Sequence, residues 1–126
     1  MSGYLLDTHV VLWWLDDPRK LSAEARQAIQ DTSHSVYVSA AAAWEMGIKK
    51  SLGRLDIPAN LPEALRSDNI EVLDIKIHHA LSVADLPLLH QDPFDRMQIV
   101  QANLENLTLI TNDEKIQQYE VNVLNP

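Results

Sequence analysis

Acidic side chains at the ends of apolar segments are the residues of this chain most able to perform chemistry. Asp7 and Asp113 each come at or shortly after the end of a short apolar run, and Asp92 and Asp95 stand together at the start of a helical pattern. Glu45 lies inside an apolar helical segment, where a carboxylate is rarely buried without a partner. If these carboxylates converge they repel one another, and a divalent cation removes that conflict. Ligands that are all oxygen atoms suit Mg²⁺ or Mn²⁺.

Each of these acids also has an ordinary structural explanation. Asp7 suits a turn or cap before the first helix, and Asp92, which is followed by proline, suits the cap of a later helix. Asp95 is a second acid at the same helix start, and the cap requires only one. Thr111 and Glu114 have the spacing of a capping box, which leaves the acid between them unexplained. Capping therefore accounts for some of the acids and leaves the others available for function.

Alternating strands and helices have to position these acids. Strands are predicted at 4–7, 36–38, 71–75, 107–110 and 121–124. Helices are predicted at 10–15, 22–30, 63–67, 78–84, 92–106 and 115–119, and another, capped by Ser39, ends near residue 50. This order predicts one α/β domain over residues 1–126, an α/β/α arrangement with a mainly parallel sheet of four to five strands flanked by helices. Such sheets bind ligands outside the carboxyl ends of their strands.

The composition is that of an ordinary globular domain. The 126 residues are 46% hydrophobic and 22% charged, which is enough apolar material for one core. No cysteine is present, which excludes disulfides and thiolate chemistry and fits a reducing cytoplasm. No membrane span or signal peptide is predicted. The net charge of −8 argues against a protein that coats nucleic acid generally, since such proteins are basic.

Four segments of the chain carry a resemblance to a known family. They are Tyr4-Leu5-Leu6-Asp7-Thr8-His9, Val38-Ser39 with Trp44-Glu45-Met46-Gly47-Ile48-Lys49, Asp92-Pro93-Phe94-Asp95-Arg96 and Leu109-Ile110-Thr111-Asn112-Asp113. Together they resemble the blocks of a PIN domain of the VapC type, the toxin half of bacterial type II toxin–antitoxin pairs. The resemblance implies a metal-dependent endoribonuclease that forms a homodimer, acts in the cytoplasm away from membranes and is inhibited by a small cognate VapB-like antitoxin.

The resemblance also assigns roles to individual residues. Asp7, Glu45, Asp95 and Asp113 match the four family acids, so they are expected to be catalytic and to hold Mg²⁺ or Mn²⁺ while RNA is hydrolysed to 5′-phosphate and 3′-hydroxyl ends. Supporting or substrate-binding roles are expected for Thr8, Ser39, Asp92, Thr111, Lys49 and Arg96. For Lys49, contact with a phosphate competes with the favourable placement of a cation at a helix end. For Arg96, contact with the RNA backbone competes with balancing the charge of the acids. An Arg or Lys of the antitoxin is expected to reach the acids, with apolar antitoxin residues in a groove beside the first helix.

Other functions fit the sequence less well. A phosphatase of the haloacid dehalogenase type requires a second Asp two residues after the first, and His9 stands there. For a receiver domain, the sequence lacks a matching phosphoacceptor strand and lysine. It also contains no nucleophile elbow and no phosphate-binding loop. The histidines show no zinc-ligand spacing. A catalytically silent PIN-like binding or assembly module remains the alternative, against which the complete set of acids argues.

Overall fold

The strands form one five-stranded sheet in which every neighbouring pair is parallel. They are β1 (Gly3–Leu6), β2 (Val36–Ser39), β3 (Ile70–Leu73), β4 (Leu107–Ile110) and β5 (Val123–Leu124), and their order across the sheet is β3-β2-β1-β4-β5. The computed structural model describes residues 3–126, so residues 1 and 2 of the predicted domain lie outside the described residues. The prediction of a mainly parallel sheet with four to five strands is confirmed.

Helices connect the strands. Within residues 3–126 they are α1 (Thr8–Asp16), α2 (Ala23–Gln30), α3 (Ala40–Ser51), α4 (Leu61–Ser67), α5 (Ile77–Ser82) and α6 (Pro93–Leu104). Short 3₁₀ turns occur at Pro18–Lys20, Val83–Asp85 and Ile116–Gln118, the last in place of the helix predicted at 115–119. Over the same range, none of the helices has the length and apolar character needed to cross a membrane.

Two apolar cores lie on opposite faces of the sheet because successive side chains of a strand point to opposite faces. Leu6 of β1 and Ile110 of β4 belong to the core that is shared with α1 and α2. Their chain neighbours Leu5 and Leu109 belong to the other core, where Ile99 of α6 packs. The layers are therefore helix, sheet and helix, as predicted.

Local sequence signals set several helix ends. The Asp92 carboxylate accepts hydrogen bonds from the N–H groups at the start of α6, as expected of a cap before proline. The Ser39 hydroxyl caps α3, and Gly53, at φ +70°, adopts the left-handed conformation that closes the other end of that helix. The capping box predicted for Thr111 and Glu114 does not form, because no α-helix begins there.

Gln98 is buried in α6 with half of its amide unpaired. Its Nε2 donates to the Phe94 carbonyl at 3.4 Å, but within the described part of the chain its Oε1 has no hydrogen-bond partner. Gln101, one turn further along, uses both ends of its amide. Its Oε1 accepts from the Ser39 hydroxyl at 2.5 Å and its Nε2 donates to the Asp74 carbonyl at 3.2 Å.

Gln98→Met is therefore expected to stabilise the protein. An unsatisfied buried polar atom costs about 1–3 kcal/mol, so removing it should raise Tm by roughly 4 °C or more. Gln101→Met is the matched control on the same helix and should lower Tm, because it leaves the Ser39 and Asp74 groups unpaired. Thermal unfolding of the two variants measures the contrast, and equal losses of Tm would contradict the assignment.

Candidate active site

The candidate site lies where the strand order reverses. In open parallel sheets, ligands bind outside the carboxyl ends of the strands at such a switch point. Here the chain runs from β1 to β2 and β3 on one side of the sheet, and then crosses to β4 and β5 on the other side of β1. Asp7 directly follows β1, Thr111 directly follows β4, and α3 begins directly after β2. The topology thus brings three segments with candidate residues to one edge of the sheet.

Asp7 caps α1 and is buried among hydrogen-bond donors. Its Oδ1 accepts from the Thr8 N–H at 2.6 Å, and its Oδ2 accepts from the Thr111 hydroxyl at 2.6 Å. Burial raises the pKa of the Asp7 carboxyl above its usual range, and both hydrogen bonds oppose that rise. The capping role and the place in the site are therefore compatible, because each uses a different oxygen.

Glu45 is buried on α3 and is paired at both oxygens. Its Oε1 accepts from the Thr8 hydroxyl at 2.8 Å, and its Oε2 lies 2.8 Å from the Lys49 Nζ one turn along the helix. The hydrogen bond to Glu45 raises the pKa of the Lys49 ammonium. Since the Lys49 side chain is 41% exposed, its charge also faces solvent at the edge of the site.

Asp95 occupies the first turn of α6 and is the most perturbed carboxyl. Its Oδ2 lies 2.8 Å from the Nε2 of His90. Burial, and after it the charges of Asp7 and Asp92, raise the pKa of Asp95 to about 7. Asp92 itself is engaged as the cap, since its Oδ1 accepts from the N–H groups of Phe94 and Asp95. The site therefore concentrates negative charge that the surrounding hydrogen bonds only partly compensate.

Asp113 completes a continuous set of contacts. Its N–H donates to the Thr111 hydroxyl at 3.1 Å, and its Oδ1 accepts from the N–H groups of Lys115 and Ile116 at 2.8 and 3.0 Å. Its Oδ2 lies 3.6 Å from the Nε2 of His90. The four predicted acids are thereby connected through shared neighbours, in the order Glu45, Thr8, Asp7, Thr111, Asp113, His90 and Asp95.

His90 is the residue of this site that the sequence analysis missed. Its nearest ring nitrogen and one oxygen each from Asp95 and Asp113 all lie within 4.8 Å of one another. The available signal was its position two residues before the Asp92 cap, which places it at the mouth of α6. A search for zinc-ligand spacing overlooks such a residue because its partners are carboxylates.

Two predicted supporting residues are engaged away from the acids. The prediction that Arg96 contacts RNA or balances the acids is wrong, because its guanidinium is buried and donates to carbonyls of the segment 83–90 and to the Tyr119 hydroxyl. Within residues 3–126, Ser39 forms no hydrogen bond to the acids. Its hydroxyl caps α3 and donates to Gln101, so its place is between the sheet and α6.

A second group of metal-binding residue types has a structural explanation. One ligand atom each from His78, His79 and Glu105 lies within 4.8 Å of the others. The Nδ1 of His79 accepts from the Lys76 N–H at 3.0 Å, which leaves the ring hydrogen on Nε2, 2.8 Å from a Glu105 oxygen. A metal would have to replace that hydrogen. The group is therefore a hydrogen-bonded junction between α5 and the end of α6.

Comparison with known proteins agrees with this architecture. The sequence profile described as PIN domain matches residues 4–122. The chain belongs to the PIN domain family. It is 26% identical over 122 residues to Ribonuclease VapC22 of Mycobacterium tuberculosis, covering 94% of this chain and 93% of that protein.

Solved structures of the same fold include two protein–DNA complexes. VapBC2 from Rickettsia felis, bound to a DNA fragment from its promoter, matches with a TM-score of 0.70 at 18% identity, covering 98% of each chain. DNA-bound VapBC from Salmonella typhimurium matches with a TM-score of 0.71 at 20% identity, covering 99% of this chain and 98% of that one. At these identities the likeness shows the PIN fold.

The residues of this PIN domain site fit a divalent cation. Carboxylate oxygens predominate, and they are the ligands that Mg²⁺ and Mn²⁺ prefer. Burial, and after it the charges of Asp7 and Asp92, raise the pKa of Asp95, and a bound cation would offset both costs of holding this carboxylate ionised. The oxygens engaged by Thr8, Thr111 and Lys49 are held in fixed directions, so the site is organised before any cation binds.

Asp95→Asn is expected to stabilise the metal-free protein at pH 8 and to lose that gain in acid. The folded pKa is about 7 and the ordinary value is 3.8, so folding favours the protonated acid. The wild-type protein therefore loses stability as the pH rises from about 4 to above 7, on the order of a few kcal/mol, and asparagine avoids this loss.

Thermal unfolding in chelator at pH 8 and pH 4.5 tests this sign. Asp85→Asn, at an exposed acid of a 3₁₀ turn, is the matched control and should give the same small change at both pH values. A gain for Asp95→Asn that is as large at pH 4.5 as at pH 8 would show that the carboxyl is not strained by burial and charge.

Proposed function

We propose that this PIN domain is a metal-dependent endoribonuclease that acts in the cytoplasm as the toxin of a toxin–antitoxin pair. The observation that carries the proposal is the continuous set of contacts joining Asp7, Glu45, Asp95 and Asp113 at the switch point of the sheet. The likeness to a protein named ribonuclease over nearly the whole chain supports it.

In this proposal the four acids hold Mg²⁺ or Mn²⁺ in the crevice. When bound, such a cation supplies positive charge that stabilises the phosphodiester in the transition state and activates water. Thr111 and Thr8 hold the Asp7 and Glu45 carboxylates in fixed directions. Lys49 offers the partly exposed positive charge nearest to Glu45, which suits contact with an RNA phosphate. Water adds across the phosphorus–O3′ bond, leaving 5′-phosphate and 3′-hydroxyl ends.

Asp7→Asn and Asp95→Asn are each expected to lower RNA cleavage by about 100-fold or more, a loss typical of removing one group that stabilises transition-state charge. Both variants should remain folded, because asparagine preserves the shape of each side chain. Cleavage of a labelled RNA with purified protein in Mg²⁺ or Mn²⁺, with chelator as the blank, measures the effect. Asp85→Asn should cleave like the wild type.

The silent binding module is the competing function, and the same assay separates the two. A wild-type protein that binds RNA but cuts none of it in either metal would support the module. Near-normal cleavage by Asp7→Asn or Asp95→Asn would show that the assigned acid is not part of the centre.

A groove beside α1 is the surface that we propose for the antitoxin. This helix-1 groove has a volume of about 620 Å³ and is lined mainly by apolar side chains, among them Leu12, Trp13, Leu15, Leu55, Ile57 and Pro58. Because α1 begins at Thr8 beside Asp7, a peptide in the groove could extend a basic side chain toward the acids. Arginine suits this role because its planar fork binds two carboxylate oxygens.

A second apolar groove is the face that we propose for the homodimer. This Trp44 groove, of about 340 Å³, is lined by residues that include Trp44, Ile75, Leu88, Pro93, Phe94 and Met97. Leu88 is 73% exposed and Trp44 is 61% exposed. Its ring meets Phe94 edge to face at 5.0 Å, which fixes the shape of the surface. Exposed apolar side chains of this size are typical of an interface.

Ile57→Asp and Leu88→Asp should separate the two surfaces, with each variant controlling the other. Ile57→Asp is expected to weaken binding of the antitoxin and to leave the dimer intact. Leu88→Asp is expected to give monomers that still bind the antitoxin. Sedimentation velocity and co-purification of the co-expressed pair measure both properties. Exchange of the two outcomes would mean that the assignments are reversed.

A further inference from the structure

The backbone of His90 is held from two sides by the side chains of Arg96 and Tyr119, the second of which is 29 residues further along the chain. Its N–H donates to the Tyr119 hydroxyl at 2.8 Å, and its carbonyl accepts from the Arg96 guanidinium at 3.3 Å. Arg96 also donates to the Tyr119 hydroxyl at 3.2 Å. The Tyr119 hydroxyl in turn donates to the Pro87 carbonyl at 2.6 Å and accepts from the Leu89 N–H at 2.9 Å. We call Arg96 and Tyr119 the clamp.

The clamp is buried, so its hydrogen bonds are not exchanged for water. Arg96 is 9% exposed and Tyr119 is 7% exposed. A buried guanidinium that donates to several carbonyls fixes the path of the chain that carries them. The segment before α6 is therefore held in one conformation although it has no regular secondary structure, and His90 is presented from it in a fixed direction.

The ring of His90 acts as a donor toward Asp95. Its Nδ1 lies 3.5 Å from the Asp92 N–H, so the ring hydrogen belongs on the other nitrogen. That nitrogen, Nε2, lies 2.8 Å from Asp95 Oδ2 and 3.6 Å from Asp113 Oδ2. Among the described residues, the second oxygen of Asp95, Oδ1, accepts no hydrogen bond. The contact thus occupies one oxygen of Asp95 and leaves the other free.

We propose that His90, held by the clamp, is a positioning residue that orients the Asp95 carboxylate so that its free oxygen faces the metal. This inference rests on the proposed metal centre. It assigns His90 a role outside the direct ligands, because a metal on Nε2 would have to displace the ring hydrogen and turn Nδ1–H toward the Asp92 N–H. Donors behind a ligating carboxylate commonly set its direction and its affinity for metal.

Binding of Mn²⁺ to the full chain, measured without RNA by titration calorimetry and by electron paramagnetic resonance, tests the role. His90→Leu removes the donor and is expected to weaken Mn²⁺ binding about 10- to 100-fold. His90→Gln places an amide N–H close to the position of Nε2 and should recover most of the loss. Circular dichroism in chelator establishes that both variants are folded.

Tyr119→Phe tests the clamp separately from the ring. Removing the hydroxyl releases the N–H groups of Leu89 and His90, so Mn²⁺ affinity should fall by less than in His90→Leu while the Asp95 side chain is unchanged. Tyr37→Phe is the matched control. Tyr37 packs half-buried against the same core as Tyr119, and within residues 3–126 its hydroxyl makes no hydrogen bond. Its affinity for Mn²⁺ should equal that of the wild type.

Several results would overturn the proposal. Wild-type affinity in His90→Leu would show that the contact to Asp95 does not matter for the metal. A ¹⁴N modulation in the spectrum of Mn²⁺-bound wild type that disappears in His90→Leu would make His90 a direct ligand. Failure of glutamine to restore the affinity lost in His90→Leu would contradict the role of the ring as a donor. Equal losses in Tyr119→Phe and Tyr37→Phe would remove the clamp from the proposal.

Failure of the proposed function has a different signature. If the wild-type protein does not bind Mn²⁺ at all, the metal centre itself is wrong and this inference ends with it. If the wild type binds Mn²⁺ and cleaves RNA while every His90 variant does the same, the metal centre stands and only the positioning role is lost.

Discussion

Repulsion among carboxylates that share one buried crevice is the constraint on which the rest of the site depends. Burial and the neighbouring charges raise the pKa of Asp95 to about 7, so the folded chain holds this acid at a cost. Donors surround the other acids: hydroxyls from Thr8 and Thr111, and the ammonium of Lys49. These hydrogen bonds partly offset the cost of holding the carboxylates close together and away from water. A divalent cation is the partner that makes such an arrangement favourable.

Helix starts solve part of this problem because their free N–H groups donate hydrogen bonds to carboxylates. Asp7 caps α1, Asp92 caps α6, and the Asp113 carboxylate accepts from two N–H groups at the 3₁₀ turn Ile116–Gln118. Each acid therefore has a structural role and a place at the candidate centre. The two explanations that compete in the sequence describe the same residues in the structure, since a carboxylate has two oxygens and a cap uses only one of them.

Residues with local explanations were predictable from the sequence, and residues defined by distant partners were not. The proline after Asp92 predicts that Asp92 caps a helix, and the order of the apolar segments predicts the parallel sheet. Arg96 stands beside Asp95 in sequence, yet its guanidinium points to Tyr119 and the segment 83–90. His90 gains its role from Asp95 and Asp113, the second of which lies 23 residues away. Contacts of this kind depend on how the layers pack, and no local pattern records them.

The net charge of −8 has a consequence for the proposed nuclease. Nucleic-acid binding normally gains its free energy by neutralising phosphates with many basic side chains. Five of the 18 acidic residues of this chain lie at the candidate centre, where Lys49 is the ammonium hydrogen-bonded to one of them. In the proposed nuclease, phosphate attraction at that place therefore has to come largely from the cation that the acids would hold. Under this proposal metal binding and RNA binding are linked, because each supplies the charge that the other requires, and the acidic crevice would repel RNA until the cation is present.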